Sequence, residues 1–458
     1  METLQRMANR GSVSTGYDID NSLKFEADNS EYLKWTDIST YATSARKKTF
    51  SFSVWFKISE LGVQRTIWAT AANGYLLLQA DGQLKWQQSY GGVVKTLNTN
   101  RLFRDTSAWY NVIIAVDSTQ STEANRVRLY VNGVEETSLT STTYPSQDAE
   151  AENVYENHHS LGAYNSSSIF WSGYMANVAF ISDAQITPSA VGEVDSDTGI
   201  WIPKEYIGGS APSYFLEFQD SSDLGTATGL DADTLTNIAA ADQATDTPTN
   251  NFCTLSTLWQ YAANTGISEG ATKSDGSGAW AGMKATIGIS SGKWYWEYKP
   301  TSGTYLDLLV GVQTDGDGNI ASGNAHNILD TAAFHLDSGT LWIKDSTSGR
   351  TDTTYGNVSN SETETYAVAL NMDDNQINFY INNTLLTVAN QSIDGLSGKV
   401  CFPLAAVYNV GVSFNFGGYT TISISSAAAD ANGYGTFEFA PPSGYYALCT
   451  KNLSEFGG

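Results

Sequence analysis

The chain has 458 residues, with 24 Lys+Arg against 48 Asp+Glu, 4 His, 3 Cys, 41 Gly and 12% aromatic residues. A net charge of −24 repels phosphate backbones and anionic lipid headgroups, so neither nucleic acid nor a membrane surface is an expected partner without a local basic patch, and the one basic run is Arg46-Lys47-Lys48. Hydrophobic content of 41% excludes disorder, no window approaches the ~18 apolar residues of a spanning helix, and the length suits two or three domains of roughly 150 residues.

Residues 1–20 lack the apolar run of ~7–15 residues that a signal peptide needs, so they read as an N-terminal arm on a chain made without conventional export. Strand signals follow. Phe50, Phe52, Val54, Phe56 and Ile58 alternate with Ser51, Ser53, Trp55 and Lys57, a period of two that predicts a strand with one buried face. Residues 110–116 and the set Val127/Leu129/Val131 repeat the pattern. Thr187–Glu193 is the one helix-like turn. Residues 219–250 hold six Asp, no Lys or Arg and no sustained alternation, which predicts a linker over 208–250. Alternation resumes at Trp294/Trp296/Tyr298 and Ile377/Phe379/Ile381, and is clearest at Val410, Val412, Phe414 and Phe416. Asp81-Gly82, Asn132-Gly133 and Ser338-Gly339 supply the positive φ that tight hairpins require.

The two halves also resemble each other. A Gly turn followed by Leu and Trp (80–86 and 337–343) precedes, in each half, a hairpin whose second strand ends in aromatic-x-Asn (112–134 and 368–384). Cys253, Cys401 and Cys449 are widely spaced and odd in number, which favours small core residues over disulfides or zinc ligands.

The first half, with FSFSVWFKIS (50–59), NRVRLYVNGV (125–134) and SGYMANVAFISDAQITPSAV (172–191), resembles a laminin-G/concanavalin-A-like lectin domain. The second, with SSGKWYWEY (290–298), YAVALNMDDNQINFYINN (366–383) and CFPLAAVYNVGVSFNFG (401–417), resembles a SPRY domain. Joined by DQATDTPTNNFCTL (242–255) and closed by APPSGYYALCTKNL (440–453), the pair is similar to a two-domain protein type of tailed-bacteriophage virions. The resemblance implies an all-β fold of two antiparallel jelly-roll sandwiches in tandem: an arm (1–20), a lectin-like sandwich (21–207), a linker (208–250), a SPRY-like sandwich (251–418) and a C-terminal extension (419–458) packing back on a sandwich. It further implies a tail-fibre or other surface-exposed adhesion protein on the virion exterior. Its partners would be other virion proteins, further copies of itself (a trimer first) and a host-cell surface glycan, and its role non-enzymatic. A decoration protein that binds only neighbouring subunits is the alternative, and a glycan depolymerase a third.

The residues themselves offer little catalytic chemistry. Sandwich hydrolases need two carboxylates about 5–9.5 Å apart. Glu362/Glu364 and Glu135/Glu136 read as solvated charges, and Glu297 has no second acid nearby. Asp315-Gly-Asp317-Gly-Asn319 opens like a calcium loop but has Ile320 and His326 where that loop wants Gly and Glu, so no metal, cofactor or catalytic residue is expected. Aromatic rings outside clear strand faces, Tyr90, Tyr155, Tyr164, Trp171 and Trp280, are candidates for stacking on a ligand. The loop 140–160 combines acids, Tyr144, Tyr155, His158 and His159, so the expected ligand-binding set is Tyr90, Tyr144, Tyr155, His158, His159 and Trp171.

Overall fold

The computed structural model describes residues 16–36, 38–70, 73–155, 158–206, 213–260, 266–276, 278, 280–303, 306–314, 330–345, 349–355 and 361–457. Two compact units divide the chain, with the boundary between Thr249 and Asn250. Each is a sandwich of two antiparallel sheets.

In the first unit an eight-stranded front sheet runs in the order Leu139–Thr143, Val93–Leu102, Gln83–Tyr90, Tyr75–Leu78, Arg65–Ala69, His159–Leu161, Tyr32–Trp35, Thr234–Thr236. The nine-stranded back sheet centres on Thr49–Ile58, between Trp109–Asp117 and Gly173–Ser182. Phe50, Phe52, Val54, Phe56 and Ile58 face the core at 0–1% exposure, and Phe52 stacks across the sandwich on Trp68 of the front sheet at 4.6 Å. Each such side chain contributes about 2 kcal/mol of burial. Asn132 and Gly133 both have positive φ, as a two-residue hairpin turn demands, and a Cβ on Gly133 would lie 2.4 Å from the Trp201 ring that covers it.

The alternation predicts a wet outer face for Thr49–Ile58, but Ser51, Ser53, Trp55 and Lys57 are buried as well. Two later segments close that face. Ile186, Ala190, Val191 and Tyr206 pack on Ile113, Ala115 and Tyr130, while Trp201 donates its indole N–H to Asn111 Oδ1 at 3.1 Å. The second cover is the run expected to be a linker, which instead supplies strands to both sheets: Thr234–Thr236 pairs with Tyr32–Trp35, and Gln243–Ala244 with Ser22–Phe25. Its acids are the reason. Cross-strand register places Lys24, Tyr174, Lys57 and Trp109 in one row on the outer face. Lys57 Nζ meets Asp246 Oδ2 at 2.7 Å with both side chains 1% exposed, and Trp109 Nε1 donates to Asp246 Oδ1 at 3.1 Å. Lys24 Nζ lies 3.0 Å from Glu31 and 2.9 Å from Asp242. What reads as a solvated acidic tract is a strap of counter-charges.

In the second unit a seven-stranded sheet runs Leu255–Gln260, Ala281–Ala285, Cys401–Tyr408, Asp307–Thr314, Thr331–His335, Thr340–Asp345, Gly349–Thr354, against a nine-stranded sheet built around Lys293–Ser302, Tyr366–Asn371 and Gly411–Asn415. Trp294, Trp296, Tyr298, Val410, Val412, Phe414 and Phe416 fill its core. The plan matches the first unit: in each, the Gly-turn hairpin (Gly82, Gly339) lies in one sheet and the aromatic-x-Asn hairpin in the other. All three cysteines are buried and free.

Residues 428–449 lie over the outer face of the nine-stranded sheet. Tyr446–Ala447 pairs in parallel with Lys293–Ser302, and Phe437 sets its ring against that of Tyr295. Glu297, fully buried, holds them. Its carboxylate accepts the backbone N–H of Glu438 (2.9 Å) and Phe439 (2.8 Å), Tyr295 OH (3.1 Å) and Asn415 Nδ2 (3.1 Å). Burial raises its pKa, against the pull of those donors.

Two substitutions test these anchors. Asp246→Asn strips Lys57 of this carboxylate and should lower the stability of the first unit by about 3–5 kcal/mol in urea unfolding, with Lys57→Met/Asp246→Leu together recovering most of the loss. Glu297→Ala should cost the second unit about 3 kcal/mol, and hydrogen exchange should show the backbone amides of 436–449 losing protection ahead of the core strands.

Candidate ligand-binding face

With the outer face of the back sheet closed by the chain's own straps, the front sheet provides the other outward surface of the first unit. Inward Leu76, Leu78, Leu84 and Trp86 leave Tyr75, Leu77, Lys85 and Gln87 pointing outward, because successive side chains on a strand alternate. Register then draws one row across all eight strands on the side away from the core, Thr143–Thr96–Gln87–Tyr75–Ala69–Ser160–Lys34–Thr234, with a second beside it, Ser141–Asn98–Lys85–Leu77–Thr66. Ala69, Ser160, Thr66 and Leu77 are buried at 0–2% exposure, so the accessible parts lie around Tyr75, Lys85 and Asn98 and, apart from them, at Lys34 and Thr234. Neither row contains Asp or Glu.

Half-buried Tyr75 is the centre of this face. Its hydroxyl donates to Gln87 Oε1 at 2.7 Å, its ring meets Tyr164 edge-on at 5.6 Å, and Lys85 Nζ stands 5.7 Å from its centroid. Beside it runs a chain of amides: Gln79 Nε2 donates to Asn98 Oδ1 (2.8 Å), Asn98 Nδ2 to Gln83 Oε1 (2.9 Å), and Gln83 Nε2 to Thr140 Oγ1 (3.0 Å). Rings held in place by neighbours and amides held in fixed orientations can stack on the apolar face of a sugar and bond its hydroxyls without losing much side-chain entropy.

The expected residues fare differently. Tyr90, Tyr155, His159 and Trp171 are core residues at 0–4% exposure and present no surface to a ligand. The loop 140–160 lies against the sandwich rather than standing free: Ala151 N donates to Lys47 O and Glu152 N to Ser89 O, which drives Val154 and Tyr155 into the core. Tyr155 OH lies 2.7 Å from Ser182 Oγ, and the Trp171 ring packs edge-on against Phe56. Tyr144 is half-buried at the core edge. His158 and His159 point apart, as neighbours on a strand must, so His158 stays at the surface beside Lys34.

His159 belongs to a closed network. Trp68 Nε1 donates to Tyr214 OH (3.1 Å), that hydroxyl donates to His159 Nδ1 (3.2 Å), and His159 Nε2 donates to Val154 O (2.9 Å), an assignment that requires the neutral ring. Burial pushes its pKa down to about 3. Because the unfolded ring titrates near 6.5 and the folded one far lower, the unfolded state binds the extra proton between those values, and stability is lost as pH falls from about 6.5. Unfolding in urea should show the first unit about 2 kcal/mol less stable at pH 5 than at pH 7, and His159→Gln, though weaker throughout, should flatten that difference.

The second unit carries an aromatic row on the outer face of its seven-stranded sheet. Trp280 lies 5.8 Å from Tyr408 and 6.0 Å from His335, and His335 stacks on Trp342 at 4.5 Å. His335 is held by Asp307 Oδ1 (3.2 Å) and Ser338 Oγ (2.8 Å), and both indoles pack over Leu309, Ala333, Leu404 and Ala406. Trp342 was findable: it follows the Gly339 turn at an odd offset, whereas Trp86 follows Gly82 at an even one, and a shift of one residue turns a side chain to the opposite face. Among the other candidates, Glu135 and Glu136 pair with Arg128 and Arg101, and Glu364 with Asn382. The Asp315–Asn319 run and His326 lie outside the described residues. Among the described residues no group of His, Cys, Asp and Glu is arranged to hold a metal.

Residues 27–191 match the Laminin_G_3 family, described as the concanavalin A-like lectin/glucanases superfamily. Among solved structures, the chain is similar to the SPRY domain of human HERC1 (18% identity, 35% of this chain and 96% of that one, TM-score 0.28) and to the TRIM65 PSpry domain (12% identity, 35% and 89%, TM-score 0.28). No curated protein matches the chain.

Proposed function

We propose that the chain binds saccharides without transforming them, through the outward face of the front sheet. The carrying observation is the Tyr75–Tyr164 pair set beside the Asn98–Gln79–Gln83 amide chain, all half-exposed on the outward side of the front sheet. The concanavalin A-like match over 27–191 contains every one of these residues and supports a binding role. Hydrolysis on such a sandwich calls for a carboxylate pair, while the two outward rows offer amides, hydroxyls and lysines. In the setting implied by the sequence resemblance, the protein is a surface-exposed adhesion component of a tailed-phage particle, assembled with other virion proteins as a homo-oligomer and meeting a host-cell glycan.

Tyr75→Ala and Tyr164→Ala test this. Each removes a stacking surface from the face while leaving the core intact, so the full chain should keep its unfolding midpoint and lose about tenfold in affinity for its best ligand on a glycan array. Unchanged binding in the double variant would place the ligand elsewhere.

A further inference from the structure

The outward rows differ from the rest of the protein in charge. In a chain with twice as many acids as bases, the thirteen residues of these rows include Lys34 and Lys85 and no carboxylate. Lys85 is displayed over the Tyr75 ring, where it would meet any group attached to a sugar stacked there. At the other end of the longer row Lys34 has His158 as its neighbour: burial first, and then the positive charge of Lys34, holds that imidazole below its ordinary range. His158 Nε2 is shielded from solvent, so at this end of the row Lys34 is the group that can meet a ligand. Tyr75 and Lys34 are separated by two intervening strands, whose row residues Ala69 and Ser160 are buried, so the two cationic points stand roughly 15–20 Å apart, the length of several sugar rings.

From this arrangement we infer that the ligand is an acidic oligosaccharide, with one anionic group met by Lys85 above Tyr75 and a second met by Lys34. The inference rests on the saccharide-binding reading of the same face and adds the ligand's charge. The overall negative charge of the chain opposes nonspecific capture of a polyanion, so binding by this local basic pair requires the fitted contacts of the face.

The test measures binding of the full chain to neutral, carboxylated and sulfated oligosaccharides of equal length, with polyglutamate and single-stranded DNA as controls. Acidic oligosaccharides should bind at least tenfold tighter than neutral ones. That preference should shrink as NaCl rises from about 0.05 to about 0.3 M, and should fall about tenfold in Lys85→Gln at an unchanged unfolding midpoint. Lys85→Arg should keep it. Carboxylated and sulfated ligands distinguish the two sources of the charge, and a preference for either supports the inference. Equal, salt-insensitive binding of neutral and acidic oligosaccharides would overturn the charge assignment and leave saccharide binding standing. Polyglutamate or DNA binding as tightly would overturn the assignment in favour of a nonspecific polyanion surface. No saccharide binding at all would defeat both readings.

Discussion

Lys24 and Lys57 lie buried on the outer face of the back sheet, and the architecture of the first unit depends on how they are neutralised. Removing an ammonium from water costs several kcal/mol even after relaxation, and the cost is offset only when a carboxylate arrives in good geometry with its remaining lone pairs occupied. Asp246 meets that condition, taking Lys57 on one oxygen and the Trp109 indole on the other. The strap that carries Asp242 and Asp246 is thereby fixed over the sheet, and a face that alternation alone would leave wet becomes interior.

That closure leaves the front sheet as the first unit's other outward surface. The second unit follows the same logic with the charges exchanged: the buried Glu297 carboxylate gathers backbone N–H groups of the segment that covers its nine-stranded sheet. Each unit therefore uses its own chain to shut one outer face and leaves aromatic and polar side chains on the other, Tyr75 with Tyr164 in one case and Trp280 with Trp342 in the other. The two open faces differ in chemistry, the first being rich in amides and lysines and the second built on indoles with a histidine–aspartate pair.

Period-two alternation was enough to identify the sheets and most of their inward residues, because a buried face leaves its mark on every second position; Phe50–Ile58 and Val410–Phe416 show it plainly. The strap escaped that reading because its information lies in pairings some 190–220 residues apart, and an Asp bonded to a buried Lys has the same local signature as an Asp in water. The loop 140–160 misled for the opposite reason: Tyr155 and His159 look like surface polar groups until Ser182, Val154 and Tyr214 satisfy them in the interior. The face around Tyr75 was legible in principle, since Leu76, Leu78, Leu84 and Trp86 fix by elimination which neighbours point outward. Aromatic residues outside the clear alternation drew attention instead, and of those Tyr164 and Trp280 reached a surface cluster.

The Lys57–Asp246 pair also has a bearing on how the chain emerges from a ribosome. The two residues are 189 positions apart, so at roughly 5–20 residues per second Lys57 waits on the order of ten to forty seconds for its partner. Once Gly173–Ser182 has been made the sandwich core can form from strands in hand, and the face still lacking its strap shows water two ammonium groups rather than a sheet of leucines. A half-made protein with a charged open side is wettable and resists sticking to its neighbours on a polysome, so the same lysines that demand the strap in the finished unit keep the unfinished one soluble until it arrives.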